Sequence, residues 1–554
     1  MTRKPAPIHP ASHPVPYHAN LDTPLLSFGK GDVWRIRDAV EATAIWGSPG
    51  SGKSSGSARA LAHAFLKAGM GGLVLCAKPG EADTWRGYAQ ACGRGDDLII
   101  VDGSGAERFN ILSYAVATLA GPGYENNLVA LMERAAEAAR VADSKGAQGG
   151  AGDGGRYYYD TASRWLKSAF PLLLAAYGDV SMKSLYDMIR DTPTNSQAVL
   201  DERDRVMKIE QAKIQRVMES TLDTPGKQRA LEELRRHQFD EVGIFSLKTV
   251  CLAAAAIEAK AAALGVDPAS LPESVDLALH AEVWTDEIPA SDPRERGIVG
   301  AIIKNLTGDF ATGKLRQLFC EGTTWVPEMA REGKIIVLDL PVLRHGPTAI
   351  VAQSMVKYLF GQALQRHVAT DTTRPVFLFA DEAQFFLNSG DDDLLSTARA
   401  ARLCVVYATQ DLPTYYARLG RDAEHRADAI LSKFGTRIFH ANSSRETNEA
   451  AAEIIGREHQ EEIVLTTSDA NERRGGGHRH DEAGSYDGGS GRSQSESRAR
   501  QYRYEYAIPP DAFAWRLRTG GQKNKFKVDA IVIRNGATWK ATGKHWIQAE
   551  FSQQ

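Results

Sequence analysis

One segment of the sequence has the residue spacing of a phosphate-binding loop (P-loop). Its eight residues are Gly47, Ser48, Pro49, Gly50, Ser51, Gly52, Lys53 and Ser54. They fit the pattern G-x-x-x-x-G-K-[ST] at every fixed position, follow an apolar run and open a helical pattern that begins at Ser54, which is the context that the motif requires. The glycines let backbone N–H groups surround phosphates at a positively polarised helix start. We therefore expect Lys53 to reach the β- and γ-phosphates of ATP and the Ser54 hydroxyl to bind Mg²⁺; the alternative is a glycine-rich turn that only starts a helix.

A second apolar run ends in two carboxylates. Asp381 and Glu382 follow residues 376–380, which read as a buried strand. In a hydrolysing site Asp381 would hold the metal through water, and Glu382 would act as the general base that polarises the attacking water. The alternative is a helix N-cap, which uses the same residue types.

A third apolar run, residues 403–409, ends in Gln410. If this strand neighbours the previous one, the Gln410 amide lies beside the two carboxylates, where it can sense the γ-phosphate or position water. The alternative is a surface glutamine that caps a turn before Pro413.

Two arginines lie on a helix-like segment between these runs. In ring-shaped ATPases an arginine from the neighbouring subunit neutralises charge on the transferring phosphate. Arg399 is the first candidate for that role and Arg402 the second, and the alternative for both is a solvated helix surface.

Composition limits the kind of protein. The 554 residues include 66 Lys and Arg against 69 Asp and Glu, a net charge of −3, which argues against a protein that coats nucleic acid through bulk positive charge. Any contact with DNA must then be local. The five cysteines form no CxxC pair, so neither a zinc site nor an oxidised fold is indicated. The sequence has no apolar run of about 20 residues that could span a bilayer, so we expect a cytoplasmic protein.

The apolar runs also predict the fold class. Continuous apolar, β-branched runs are typical of strands buried on both faces of a parallel sheet. They occupy residues 42–46, 72–77, 98–102, 334–340, 376–381, 403–409 and 437–441. Helical patterns dominate between them, at 127–140, 157–177, 202–218, 226–237 and 246–264. This order predicts an α/β core with a helical insertion.

Low-complexity segments and turns complete the predicted organisation. The glycine-rich segment 144–156 and the polar segment 467–500 are expected to be flexible. His478, His480 and Asp481 could suggest a metal site, but a solvated polar loop is the favoured interpretation. The alternating Tyr502, Tyr504 and Tyr506 favour a half-buried strand over a base-stacking surface.

The predicted division of the chain has six parts. They are a flexible segment 1–23, a first nucleotide-binding part 24–113, a mostly helical inserted domain 114–296, a second nucleotide-binding part 297–466, the flexible segment 467–500, and carboxy-terminal strands 501–554 that pack on the core, with a hairpin turn at Asn535-Gly536.

The order of the motifs resembles that of the type IV secretion coupling proteins of the TraG/TraD group, relatives of the FtsK and HerA translocases. The resemblance rests on GSPGSGKS, LVLCAKPGEADTW, FNIL, IIVLDLP, FLFADEAQFF and YATQDLPTYYARLG. It covers most of the chain outside the helical insertion and the segment 467–500.

The resemblance implies a RecA-like P-loop NTPase with a central, mostly parallel sheet and an inserted all-α domain. It also implies a homo-hexameric ring, assembled on its own or only on substrate, with ATP and Mg²⁺ between subunits. Lys53 and Ser54 match the family's nucleotide-binding pair, with Ser55 beside them. Asp381 and Glu382 match its acidic pair, and Gln410 its glutamine.

Lys78 and Glu81 fall where the family shows Lys-Gly-Glu, here interrupted by Pro79. The aspartate that often precedes this lysine in the family is absent from the sequence. The role of both residues therefore stays open.

The implied task is to translocate single-stranded DNA, with an attached relaxase, or effector proteins, into a secretion channel. Typical members are anchored by transmembrane helices, which this sequence lacks, so we expect either docking on a separate inner-membrane subunit or membership of a soluble branch with another task. Two other functions stay open: a HerA- or FtsK-like translocase of duplex DNA in repair, partition or defence, and an ATP-gated receptor for protein substrates that does not translocate them.

Overall fold

A nine-stranded sheet forms the centre of the protein in its computed structural model, which describes residues 16–29, 31–119, 123–143, 153–419, 423–470 and 493–554. Nine of the strands in the described residues form this sheet, and the other four form two separate pairs, β1-β2 and β10-β11. In chain order the strands are β1 (Pro24–Gly29), β2 (Asp32–Arg35), β3 (Thr43–Trp46), β4 (Gly71–Leu75), β5 (Leu98–Val101), β6 (Ile335–Leu338), β7 (Val376–Asp381), β8 (Leu403–Thr409), β9 (Thr436–Phe439), β10 (Arg457–Ala470), β11 (Ser493–Tyr506), β12 (Lys527–Arg534) and β13 (Trp546–Ser552). All seven strands predicted from apolar runs are present, and β3, β4, β6, β8 and most of β7 are buried along their length.

The strand order brings three predicted motifs to one edge. The large sheet runs β13-β12-β9-β3-β8-β7-β4-β6-β5, and the seven strands from β9 to β5 are parallel. Strand β8 lies between β3 and β7, with Thr409 opposite Trp46 and Ala408 opposite Asp381. Because parallel strands end at the same edge, the P-loop after β3, Gln410 after β8 and Glu382 at the end of β7 are neighbours. The predicted α/β fold class is confirmed.

Helices cover both faces of the sheet and fill the stretch between β5 and β6. They are α1 (Ile36–Ala39), α2 (Arg59–Lys67), α3 (Glu81–Ala91), α4 (Ile111–Thr118), α5 (Tyr124–Asp143), α6 (Asp153–Tyr177), α7 (Met182–Arg190), α8 (Ser196–Glu219), α9 (Thr224–Arg236), α10 (Phe245–Leu264), α11 (Pro272–Glu282), α12 (Ile288–Ala290), α13 (Pro293–Thr307), α14 (Gly313–Cys320), α15 (Met329–Glu332), α16 (Val342–His345), α17 (Pro347–Gln365), α18 (Gly390–Ala398), α19 (Leu412–Leu419), α20 (Ala423–Leu431), α21 (Arg445–Ile455) and α22 (Ala512–Trp515). In the described part of the chain, no helix combines the length and apolar composition needed to cross a bilayer.

Helix α5 joins the helical stretch to the layer of helices that covers the sheet. Helix α5 packs against α17, which covers the sheet, and α6 packs against α5, α10 and α13. Leu131, Phe170 and Trp284 are fully buried in this core, and the Trp284 indole N–H donates to the Ser168 hydroxyl at 3.0 Å. A buried indole with a satisfied donor fixes the packing of these helices. The five predicted helical segments fall inside α5, α6, α8, α9 and α10, except that the segment 226–237 extends one residue past the end of α9.

The segment predicted to be flexible at 467–500 lies partly in a β-ladder. Strands β10 and β11 pair antiparallel from Arg457 opposite Tyr506 to Ala470 opposite Ser493. The flanks 467–470 and 493–500 are therefore strand, because cross-strand pairing satisfies their backbone without hydrophobic periodicity. Residues 471–492, with the histidines considered as metal ligands, lie outside the described residues.

Two of the three tyrosines of β11 depart from their predicted burial. Tyr502 and Tyr504 are 64% and 62% exposed, so the half-buried interpretation is right about the strand and wrong about these two side chains. The β10–β11 pair is a separate two-stranded sheet, and among the described residues no second layer covers these two side chains.

Two further segments predicted to be flexible are described in part. Of 144–156, residues 153–156 begin α6 and the rest lie outside the described residues. Of 1–23, residues 16–23 are described: the Tyr17 hydroxyl donates to the Thr372 carbonyl at 2.7 Å, and the Arg374 guanidinium stacks on the Tyr17 ring. This part of the segment thus contacts the core.

Candidate nucleotide-binding site

The P-loop joins β3 to a π-helical turn, Ser54–Ala58, that leads into α2. Gly52 has a φ of +88°, and a Cβ there would lie 2.6 Å from Cγ2 of Val528 on β12. A Cβ at Gly47 would lie 2.3 Å from the Ser51 hydroxyl oxygen. Both positions therefore require glycine, and the loop is pressed against a strand from the far end of the chain.

The serine and the aspartate expected to hold a metal are in contact. The Ser54 hydroxyl donates to Oδ2 of Asp381 at 2.6 Å. A hydroxyl and a carboxylate side by side are oxygen ligands of the kind that Mg²⁺ prefers. Within the loop, the Ser51 hydroxyl is buried and has no hydrogen-bond partner among the described residues. These residues fit a Mg²⁺–phosphate group at this position.

Glu382 is held from both sides of its carboxylate. It is 3% exposed and has a left-handed backbone with φ +56°. Oε1 lies 2.5 Å from Lys78 Nζ and 3.7 Å from Lys53 Nζ. Oε2 accepts hydrogen bonds from the side-chain amides of Gln384 at 2.8 Å and Gln410 at 3.2 Å.

These contacts set the charge of the glutamate. Burial raises the pKa of the Glu382 carboxyl, but hydrogen bonds from Lys78 and Gln384 and the charge of Lys53 outweigh burial and leave the pKa below its ordinary value. Glu382 is therefore an ionised carboxylate at neutral pH. The left-handed conformation, uncommon outside glycine, marks a position whose surroundings impose the backbone.

Gln384 was not singled out from the sequence. Its side-chain oxygen accepts a hydrogen bond from the Thr409 hydroxyl at the end of β8, at 2.8 Å, and this contact orients the amide toward Glu382. The signal that could have found it is its position two residues after Glu382, on the short turn that follows β7.

Lys78 and Glu81, whose roles the sequence left open, belong to the site. Lys78 Nζ also lies 3.5 Å from Oδ2 of Asp381. Burial lowers the pKa of Lys78, but the charges of Asp381 and Glu382 outweigh it and raise the pKa. Glu81 accepts the backbone N–H groups of Ala77 at 2.7 Å and Lys78 at 3.2 Å, which fixes the β4–α3 turn. Burial and the nearby charge of Asp381 raise the pKa of Glu81 to about 8.

Gln410 contacts both sides of the site. Its amide reaches Glu382, and its backbone carbonyl accepts from Gly47 N–H at 3.2 Å and from the Asn442 side chain at 2.8 Å. Asn442 follows β9, and the Ser48 hydroxyl lies 3.1 Å from that of Ser443. The loops after β3, β8 and β9 are thus hydrogen-bonded to one another.

A buried histidine supports the start of the P-loop helix. His440 Nδ1 faces the Asp529 carbonyl at 3.1 Å and must donate to it, so Nε2 accepts from the Ser57 hydroxyl at 2.7 Å. Burial lowers the pKa of His440 to about 4, so the imidazole is neutral. Nothing in the spacing of His440 indicates this contact.

The two arginine candidates lie away from the P-loop of their own chain. Arg399 and Arg402 precede β8, at the edge opposite the P-loop. The Arg399 side chain is 75% exposed, 3.5 Å from Glu41. The Arg402 side chain is 8% exposed and donates to the carbonyls of Ala19 and Thr373. Arg399 thus lies on the surface beside Glu41, whereas Arg402 is buried within its own chain; a role of either arginine in a neighbouring subunit stays a prediction.

Comparison with known proteins places part of this arrangement in a family. Residues 375–511, from β7 to the turn after β11, match the family described as the TraM recognition site of TraD and TraG. This segment is similar to the TraG/TraD proteins. The match contains the acidic pair and Gln410 of the TraG/TraD segment, and it confirms the resemblance drawn from the motifs. No curated protein matches the chain.

Solved structures agree with the TraG/TraD assignment at the level of the fold. The bacterial conjugative coupling protein TrwBdeltaN70, in a trigonal form with sulphate, is similar with a TM-score of 0.52 at 13% identity, covering 99% of this chain and 95% of that one. TrwB with ADPNP is similar with a TM-score of 0.51 at 14% identity, covering 94% and 86%. TrwB with ADP and Mg²⁺ gives the same values. The predicted RecA-like P-loop fold with a helical domain is confirmed.

Proposed function

We propose that the protein is an ATP-hydrolysing motor of the type IV secretion coupling kind, which forms a homo-hexameric ring and translocates single-stranded DNA or nucleoprotein. The observation that carries the proposal is the convergence of Lys53, Ser54, Asp381, Glu382 and Gln410 at one edge of the sheet. This set supplies a phosphate cation, metal ligands, a base and a water-orienting amide.

Each side chain has a role in this proposal that follows from its position. Ser54 and Asp381 would hold Mg²⁺, which neutralises charge on the phosphates. Lys53 binds the β- and γ-phosphates, Glu382 takes a proton from the attacking water, and the Gln410 amide orients that water. Lys78 would offset the negative charge of Asp381 and Glu382 before Glu382 takes the proton.

The comparisons support the proposed ligand and partners. TrwB, which shares the fold, has been solved with ADPNP and with ADP and Mg²⁺, and this supports ATP and Mg²⁺ as ligands here. The match to the TraM recognition site of TraD and TraG supports partners from the machinery of conjugation. By extension we propose a relaxase or effector protein as cargo, and a secretion channel or membrane subunit as the docking site.

ATP hydrolysis measured over a range of protein concentrations, without DNA, with single-stranded DNA and with duplex DNA, tests the proposal. Turnover that rises with protein concentration and with single-stranded DNA is expected. A preference for duplex DNA would favour the HerA- or FtsK-like translocase. Indifference to both, at concentrations where rings form, would favour the ATP-gated receptor.

A further inference from the structure

The direction in which a bound nucleotide lies follows from the contacts of the P-loop, if the proposed function holds. Lys53 and Ser54 face Glu382 and Asp381, so the terminal phosphate and the metal lie on the β7–β8 side of β3. The strands on the opposite side of β3 are β9 and β12, and an extended nucleotide has its α-phosphate, ribose and base at the end away from the terminal phosphate.

The carboxy-terminal hairpin brings residues to that side. Strand β12 is antiparallel to β9, so it begins at the P-loop edge, where Val528 lies against Gly52. Strand β13 ends at the same edge. Just beyond it, the Gln553 amide donates to the Ser55 hydroxyl at 2.7 Å, and Ser55 directly follows the metal-facing Ser54.

A short turn, residues 520–526, is fastened to this contact. The side-chain oxygen of Gln553 accepts from Gly521 N–H at 2.7 Å, and the Gln553 N–H donates to the Phe526 carbonyl at 2.8 Å. Phe526 is therefore linked through one residue to the first turn of the P-loop helix.

The turn presents an aromatic residue and cations to solvent. Phe526 is 36% exposed, and Lys523 and Lys525 are exposed. Lys525 and Phe526 have φ of +53° and +57°, a conformation that non-glycine residues rarely adopt. Two consecutive residues in this conformation indicate that the surroundings, rather than local preference, fix the turn. Within residues 512–528 the sequence has no acidic residue.

We propose that residues 520–526 and Gln553 form the subsite for the nucleoside part of the bound nucleotide. Phe526 stacks on the base, Lys525 and Lys523 supply positive charge beside the α-phosphate, and Gln553 lies at the ribose. Because stacking uses a ring face that every base presents, this subsite accepts both adenine and guanine nucleotides.

Calorimetric binding of AMP-PNP and of inorganic tripolyphosphate, each with Mg²⁺, tests the subsite in the full-length chain. Wild type is expected to bind AMP-PNP more tightly than tripolyphosphate. Phe526→Ala should weaken AMP-PNP by about tenfold, the scale of one base–aromatic stack, and leave tripolyphosphate unchanged. Phe526→Tyr should keep wild-type affinity, and Tyr504→Ala, which removes an exposed aromatic ring from β11, should change neither ligand.

Three results would overturn the subsite, and they are distinguishable. Equal wild-type affinity for the two ligands, or Phe526→Ala equal to wild type, removes the subsite and leaves the proposed function standing. Equal weakening of both ligands by Phe526→Ala would mean that the turn only supports the P-loop. Failure of wild type to bind either ligand would remove the proposed function and the subsite together.

Discussion

Lys78 Nζ lies 2.5 Å from Oε1 of Glu382, the oxygen that Lys53 approaches at 3.7 Å. The two lysines come from loops after different strands, β4 and β3, and meet at one buried carboxylate. The opposite oxygen is occupied by Gln384 and Gln410. Glu382 is thus an ionised, fully bonded group, and its fixed position is what the proposed chemistry requires of a base.

Glu382→Gln tests the base directly. The amide keeps the size of the side chain and loses the proton acceptor, so nucleotide binding should persist while turnover falls by about 10²–10⁴-fold, the range for a general base. Calorimetry with AMP-PNP and steady-state ATP hydrolysis measure the two effects. Glu505→Gln, an exposed residue of β11, is the control, and near-normal turnover of the Glu382 variant would refute the assignment.

Lys53→Ala tests whether residues 47–54 are a phosphate-binding loop or only a turn that starts a helix. Lys53 is buried beside Glu382 at the proposed phosphate site, so its loss should abolish nucleotide binding or turnover. Lys208→Ala removes an exposed lysine of α8 and should leave both intact. Turnover in the Lys53 variant similar to that of the control would exclude this loop as the phosphate site.

Gly52→Ala tests the contact between the P-loop and β12. The added methyl would meet Val528 at 2.6 Å on a backbone with φ +88°, so we expect the free energy of unfolding to fall by about 1–3 kcal/mol. Urea unfolding measures the loss. We then compare the double variant Gly52→Ala/Val528→Ala with Val528→Ala alone. In this background Gly52→Ala should lower the free energy of unfolding by less, because the clash with Val528 is removed and only the cost of the positive φ remains. No recovery would show that the contact is unimportant.

The sheet and the motif residues could be predicted because their signals are local. Strands buried on both faces read as continuous apolar runs, and the P-loop has fixed spacing. The contact of Gln410 with Glu382 could be predicted only on the condition that β8 lies beside β7, because a single sequence does not give the order of strands in a sheet. Lys78, Gln384 and His440 were not assigned roles, since only the strand order brings their loops to the site.

For the two exposed tyrosines of β11, the strand was predicted correctly from the sequence and the burial of the side chains was predicted wrongly. Alternation predicts which residues of a strand share a face, but burial needs a second layer, and the described part of the β10–β11 pair has none over Tyr502 and Tyr504.

His440 should make the stability of the protein depend on pH. Its pKa of about 4 lies below the unfolded value of 6.5, so the unfolded chain binds the extra proton between these values. The contribution is full above pH 6.5 and is lost as the pH falls toward 4, by roughly 3 kcal/mol. Urea unfolding of wild type and His440→Gln across this range should show a steeper loss in wild type. Parallel curves would contradict a neutral buried imidazole.

The most direct test of the motor is ATP-dependent displacement of streptavidin from the end of a biotinylated single strand, measured for wild type and Glu382→Gln in parallel. The proposed function predicts displacement by wild type with ATP, none with AMP-PNP, and none by the variant, although the variant still binds nucleotide and DNA. Wild-type protein that hydrolyses ATP on single-stranded DNA and never displaces the block would contradict it.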